Sequence, residues 1–407
     1  MKILHTSDWH LGKRLEKFSR IEEQQEVLNE ICEISDCEQV NVVVIAGDLF
    51  DTFNPPIEAI DLFYKTLKRL TNNGNRAVIA IAGNHDSPDR IESPDPLARE
   101  CGIIFLGYPN SKTTQFKLET GLKVTKSDNG FLELSLPNTK SPLRIISTPY
   151  ANETRLKVYL GSEDSEEELR QILQKKWQEL ADNYCDNKGV NLLTTHLFLV
   201  GKGEEQPEEP EDEKPILHVG GAQVVYTENI PKQIQYTALG HLHRKLINNK
   251  KAPVIYSGSP LAYSMSESNQ DKFVMVIDVE PDKEAIVKQI QLTKGKRLIR
   301  QKFDNVEKAI DWLTANPETL VELTMVTDTF LTAEERKQIL NAHQGIVAII
   351  PEVKNMAGSA DKTNEIDLNK KIDDLFIDYF KNKYNQQEPS VEILDLFKEI
   401  KATEQDK

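Results

Sequence analysis

The stretch Val44–Thr52, VIAGDLFDT, reads as an apolar run that stops at a glycine and then delivers an aspartate. The unbroken apolar segment Asn41–Ala46 has the pattern of a strand buried on both faces. Lys2–Thr6 and Arg76–Ala82 read the same way. Each also ends in polar residues, Ser7-Asp8-Trp9-His10 after the first and Gly83-Asn84-His85-Asp86 after the third. Helical spacing predicts helices over 20–37 and 57–73 between these strands. Such alternation means a parallel α/β sheet with right-handed crossovers. Ligands of these sheets lie beyond the carboxyl ends of the strands, where all three polar clusters fall.

Further strands are expected at Ile103–Leu106, Phe131–Leu136, Leu143–Thr148, Val190–Thr195, Gln235–Leu239, Pro253–Tyr256 and Phe273–Asp278, with a helix near 164–184. A composition shift near 281–302 opens a smaller α+β unit. Helices near 305–315 and 332–343 alternate there with strands Thr319–Val326 and Ile346–Ile350, and Thr332 with Glu335 reads as a capping box. Two closing helices carry apolar stripes, including Leu375, Phe376, Phe380, Leu394 and Phe397. The division expected is a main domain over 1–280, a small capping domain over 281–352, a linker over 353–365 and a helical segment over 366–407.

Composition narrows the class. Of 407 residues, 39% are hydrophobic and 28% charged, an ordinary globular balance that excludes disordered and collagen-like chains. Cys32, Cys37, Cys101 and Cys185 are too scattered for a disulfide framework and read as reduced thiols. No apolar run is long enough for a membrane helix, and the N-terminus lacks a signal-peptide pattern. A cytoplasmic protein with no membrane partner is expected. The net charge of −15 argues against a non-specific nucleic-acid coat. It leaves room for carboxylates that bind metal. Residues 202–214 form an acidic loop.

Five of the eight histidines fall at strand ends: His10, His85, His196, His241 and His243. Two residues apart on an extended chain, Asp8 with His10 and His241 with His243 would face one site. With Asp48 and Asn84, this mixed oxygen–nitrogen set suits Mn²⁺, Fe²⁺ or Zn²⁺ better than Ca²⁺, and it lacks the thiolates of a structural zinc site. Seven candidate ligands exceed what one ion takes. Two ions ~3.5–4 Å apart with a bridging carboxylate fit the number. Other features carry blander expectations. His5, inside a strand, reads as a packed histidine or one supporting the site; His218 has no partner motif and reads as structural or exposed; His343 ends a helix, where a cation suits the dipole. Trp9 and Leu11 would wall the site. Lys294–Lys302 reads as a solvated strand face, with contact to DNA phosphates as the alternative, and Ser257–Pro260 reads as a turn near the site. Arg14 and Arg244 are candidates for phosphate contact.

The order D-x-H, G-D, G-N-H-D, H, G-H-x-H resembles the calcineurin-like metallophosphoesterases. More narrowly, ILHTSDWHLG, VIAGDLFDT, AGNHDSP, ALGHLHR and YSGSP resemble the SbcD family of nuclease subunits. The resemblance implies an α/β sandwich of two central sheets flanked by helices, with the small capping domain and C-terminal helices attached. It implies that Asp8, His10 and His243 hold one metal, that Asn84, His196 and His241 hold the other, and that Asp48 bridges them. Mn²⁺ comes first among the ions, before Mg²⁺, Fe²⁺ or Zn²⁺. His85 is implied as the catalytic histidine, and Asp51 is expected to orient it. The implied activity is 3′–5′ exonuclease action on duplex DNA and endonuclease action on single strands or hairpins, in DNA repair, recombination and replication. The implied partner is an SbcC-type ATPase, whose coiled coil the C-terminal helices would grip. A homodimer within a heterotetramer is also implied, and Ile57, Ile60, Tyr64 and Leu67 could contribute to it. The alternative is a calcineurin-like phosphodiesterase or phosphatase acting on small substrates, which would need neither capping domain nor terminal helices.

Overall fold

A computed structural model describes residues 1–157, 165–203, 224–248, 252–329 and 331–353, with single positions between 375 and 397. His218, the acidic loop beyond Gly203 and the expected linker beyond Val353 lie outside the described residues. Lys2–Thr6, Val42–Ala46, Ala77–Ile81 and Ile103–Leu106 run parallel in that order. Lys272–Asp278 pairs antiparallel with Lys2–Thr6, and Ile286–Leu292 pairs antiparallel with Lys272–Asp278, making six strands. Ile286–Leu292 therefore belongs to the main sheet, although the sequence pattern places it in the smaller unit. Its side chains are mostly exposed, so it shows no buried apolar run of the kind that marks the central strands.

A second sheet has seven strands. Tyr236–Leu239, Val190–Thr195 and Leu143–Thr148 run parallel at its centre, with Val254–Tyr256 parallel beside Tyr236–Leu239. The two sheets share one apolar core, in which Ile3, Val44 and Ile79 of the first meet Ile145, Leu192 and Ala238 of the second. Helix Ile21–Cys37 and helix Ile57–Leu70 cover the other face of the first sheet through Val27, Ile31, Phe63 and Leu67. Helix Ser165–Tyr184 covers the second sheet through Leu169, Leu173 and Trp177. Coverage on both faces explains why the central strands read as unbroken apolar runs. His5 is a link between the sheets: its Nδ1 lies 2.8 Å from Tyr236 Oη and its Nε2 3.1 Å from Leu239 O.

Several local expectations change. The helix predicted to reach residue 73 ends at Leu70, because Asn72, Asn73 and Gly74 take left-handed φ of 46°, 54° and 81°. Leu67 on that helix is core, whereas Ile57 and Tyr64 remain exposed. Trp9 and Leu11 are core residues beneath the site and do not wall it; Trp9 donates to Thr6 Oγ1 at 3.1 Å and meets Phe63 edge-on.

The small sheet sets Arg297–Phe303 parallel to Thr319–Thr327, with Ile346–Val353 third. Leu298 is buried, while Arg297 faces Asp271 and Arg300 pairs with Glu322 at the surface, so the basic run is a solvated strand face. The capping box forms: Glu335 N donates to Thr332 Oγ1 at 3.2 Å, and Thr332 N donates to Glu335 Oε2 at 2.8 Å. His343 does stand at the end of helix Ala333–Ala342, but its ring nitrogens are engaged locally. It is buried, its Nδ1 accepts from Gly345 N at 2.9 Å, and its Nε2 lies 3.0 Å from Asn316 O.

By contact, residues 1–325 with 332–350 form one compact unit and residues 326–331 with 351–407 another. In the second unit Phe376 stacks on Phe397 with centroids 4.0 Å apart. Among the described residues no helix is long and apolar enough to cross a membrane. Leu192 is fully buried between the sheets. Leu192→Ala is expected to lower the free energy of unfolding by about 3 kcal/mol, measured by urea denaturation.

Candidate metal centre

Strands from both sheets end on one side, and the loops after them carry the site. Asp8 and His10 follow Lys2–Thr6, Asp48 follows Val42–Ala46, and Asn84 and His85 follow Ala77–Ile81. His196 follows Val190–Thr195, and His241 with His243 follow Tyr236–Leu239. The extended-chain reason for pairing Asp8 with His10 does not hold. Their φ values are 53° and 42°, Asp48 has 46° and His241 98°. Such backbone is costly for residues with a Cβ and concentrates where a site requires it.

Close packing explains the motif glycines. A Cβ on Gly47 would stand 2.2 Å from His196 Nδ1, and one on Gly240 would stand 1.9 Å from Ala46 O. The His196 ring lies directly on the first sheet's loop, its Nδ1 2.8 Å from Ala46 O.

All seven expected ligand residues come together. Asp8, His10 and His243 present donor atoms within 4.8 Å of one another, as do Asp8, Asp48 and His196. His10 Nε2 lies 2.9 Å from His243 Nε2. Asn84 Oδ1 lies 3.0 Å from His196 Nε2 and 3.1 Å from His241 Nδ1. Asp48 Oδ2 sits between the two groups, 3.5 Å from His10 Nε2 and 3.2 Å from His196 Nε2. Its other oxygen accepts from His85 N at 2.9 Å. Facing imidazole nitrogens around a shared carboxylate make a donor set that fits divalent cations.

The position of Asp51 corrects one expectation. Its carboxylate lies 3.6 Å from His10 Nδ1 and 3.0 Å from Lys13 Nζ. Its backbone carbonyl, not its carboxylate, accepts from His85 Nδ1, at 2.8 Å. The side chain therefore buttresses His10, and the main chain holds His85.

Burial shapes the charges. It pushes His10 down to about 3, and it does the same for His241 with help from His196. Burial also resists charge on His196, but the Asp48 carboxylate outweighs it and raises the imidazole to about 9. Asp8 is raised to about 6 by burial, against the pull of His196 and His243. Asp48 overcomes its own burial through His196, His10 and His85 and stays well below the usual carboxylate range. Near pH 7 the centre thus offers an ionised Asp48 and neutral His10 and His241, the forms that ligate metal, whereas His196 holds a proton that a bound cation would have to displace.

Sequence reasoning missed the supports. Asp86 accepts from Leu49 N, Phe50 N and Gly83 N at 3.0, 2.9 and 2.8 Å, tying the Asp48 loop to the Asn84 loop. Buried Arg155 donates to the carbonyls of Gly83 and Asp86 at 2.7 and 2.8 Å. Ser7 Oγ donates to Asp8 Oδ2 at 2.5 Å and lies 2.8 Å from Ser257 Oγ, so Ser257–Pro260 is part of the site's floor as well as a turn. Arg14 and Arg244 are exposed; Arg14 donates to Lys17 O. Glu267, paired with buried Lys272, lies 3.5 Å from His243 Nδ1. Asp86 had a signal in its place inside G-N-H-D, as did Ser7 beside Asp8 and Ser257 within YSGSP. Arg155 and Glu267 reach the site through contacts far apart in the chain.

Gly47→Ala is expected to displace His196 and reduce divalent-metal affinity roughly 10–100-fold by calorimetry, on the scale of a lost support. Glu267→Ala leaves Lys272 buried without its carboxylate and is expected to lower unfolding free energy by about 3–5 kcal/mol at pH 7. Burial opposes ionisation of Glu267, but Lys272 and His243 hold its carboxyl below the usual range. Its contribution is then complete above the unfolded-state pKa and fades as pH falls. Urea titrations of wild type and variant should converge toward low pH.

Residues 1–245 match the calcineurin-like phosphoesterase family. The SbcD chain of the nuclease SbcCD from Bacillus subtilis (strain 168) is 32% identical over 407 residues, covering 98% of this chain and 97% of that protein. The SbcD chain of the same nuclease from Staphylococcus epidermidis is 31% identical, covering 69% of this chain and 66% of its own length. Among solved structures, a dimetal phosphatase from Danio rerio superposes with a TM-score of 0.39 at 12% identity, covering 72% of this chain and 98% of that one. The chain belongs to the calcineurin-like phosphoesterases and, within them, to the SbcD family of metal-dependent nuclease subunits.

Proposed function

We propose that the chain hydrolyses DNA phosphodiester bonds with two divalent cations held on either side of Asp48. Asp8, His10 and His243 would hold one ion and Asn84, His196 and His241 the other, with Mn²⁺ preferred. The ions would neutralise charge on the phosphate and lower the pKa of the attacking water. The observation that carries this reading is Asp48 Oδ2, 3.5 Å from His10 Nε2 and 3.2 Å from His196 Nε2.

The chain's own groups then have distinct tasks. His85 donates from Nδ1 to the Asp51 carbonyl, which leaves Nε2 to face phosphate and pass a proton to the leaving oxygen. The Asp51 carboxylate steadies His10. Arg155 and Asp86 keep the Asn84–His85 loop in register with Asp48.

The family likeness supports 3′–5′ exonuclease action on duplex ends and endonuclease action on single strands and hairpins. It also supports a homodimer joined to an SbcC-type ATPase in the cytoplasm. ATP would act through that partner, since this sequence contains no G-x-x-x-x-G-K-[ST] loop. Exposed Ile57 and Tyr64 are candidates for the homodimer contact.

The test is digestion of end-labelled duplex DNA with Mn²⁺. Activity should vanish with EDTA and return with Mn²⁺. His85→Ala should lower kcat about 10²–10⁴-fold while calorimetric Mn²⁺ affinity is retained. Asp51→Asn should instead weaken Mn²⁺ affinity about 10–100-fold. Rapid turnover of bis(p-nitrophenyl) phosphate with untouched DNA would favour the small-substrate phosphodiesterase.

A further inference from the structure

A groove of about 820 Å³ opens beside His85 and Asn84. That lies within the ~300–1,000 Å³ typical of a site enclosing one small ligand. Phe53, Tyr108 and Tyr150 line it, with Lys157 among them. Phe53 is 53% exposed, so its ring is open to a ligand in the groove.

The tyrosines are fixed in place. Tyr108 Oη donates to Asp89 Oδ1 at 2.7 Å, and Lys157 Nζ lies 5.9 Å from the Tyr108 ring centroid. The Arg155 guanidinium lies 5.1 Å from the Tyr150 ring centroid, and Tyr150 N donates to Ala82 O at 2.9 Å. The same arginine that clamps the His85 loop therefore backs a wall of the groove. Lys157 has a left-handed φ of 57°, a conformation that costs a residue with a Cβ about 1–2 kcal/mol.

We propose that this groove is a subsite for one unpaired nucleoside adjoining the scissile phosphate, on the side of the leaving oxygen. The inference rests on the nuclease reading above and deepens it. Aromatic faces with a neighbouring cation are what an unpaired base and its phosphate require, and they tolerate any base because each has a π-face. A base still paired and stacked in a duplex has no free face to lay on a ring. The leaving-oxygen side follows from His85, which lines the groove and is the proposed proton donor to that oxygen. On this account the DNA must fray or bend out one nucleotide before hydrolysis, so single strands and hairpin loops meet the requirement directly.

The experiment walks one abasic residue along a 5′-labelled single-stranded oligonucleotide cut in Mn²⁺. Expected is a roughly tenfold or larger loss of kcat/KM, carried by KM, when the abasic residue directly precedes the scissile phosphate. Tyr108→Ala or Phe53→Ala should give a loss of similar size on the complete strand, and the variant and abasic losses should not add. Tyr108→Phe, which keeps the ring, should retain the preference for a base. Equal kcat/KM for abasic and complete strands in wild type overturns the proposal without any variant. So does a loss confined to the residue after the phosphate, or additive losses. A wild-type protein that cleaves none of the strands but turns over bis(p-nitrophenyl) phosphate instead defeats the nuclease reading, and the subsite with it.

Discussion

The Asp48 carboxylate joins the two halves of the metal centre. It stands at the seam between two sheets, one oxygen toward His10 and His196 and the other bonded to His85 N. To put it there the backbone enters left-handed conformation at Gly47 and Asp48. Gly47 must also lack a side chain because the His196 ring of the opposite sheet occupies that space. An arrangement of buried imidazoles and carboxylates is unfavourable alone. Stacking of the two sheets and the hydrogen bonds of Asp86 and Arg155 hold it together.

Much of this is legible in the sequence, for a definable reason. Strands buried on both faces must be apolar throughout, so their ends stand out as abrupt changes to Gly, Asp, Asn and His. Those ends locate Asp8, His10, Asp48, Asn84, His196, His241 and His243. The assignment of ligands to particular ions comes from resemblance to a family, because spacing alone cannot say which strand ends face each other. Extended alternation is the wrong cause for Asp8 and His10, which converge through left-handed turns instead.

What the sequence hides depends on tertiary contact. Arg155 follows no periodic pattern, yet it binds carbonyls some seventy positions earlier in the chain. Trp9 reads as a site wall because it lies between two ligand candidates, but its ring turns inward to Phe63. Family analogy pairs the Asp51 side chain with His85, whereas the turn after Phe50 sends its carbonyl to His85 and its carboxylate to His10. Ile286–Leu292, lacking a buried apolar run, can be assigned to a sheet only through its register with Lys272–Asp278.

The aromatic groove extends the same logic outward. The segment that secures the His85 loop through Arg155 also carries Tyr150 and Lys157, so loop positioning and the proposed nucleoside contact share one piece of chain. The central claim remains the two-cation centre, and anomalous diffraction from Mn²⁺-soaked crystals tests it most directly. The account predicts two peaks sharing Asp48, one against His10 and His243 and the other against Asn84, His196 and His241. A single peak remote from Asp48, or none at saturating Mn²⁺, would contradict it.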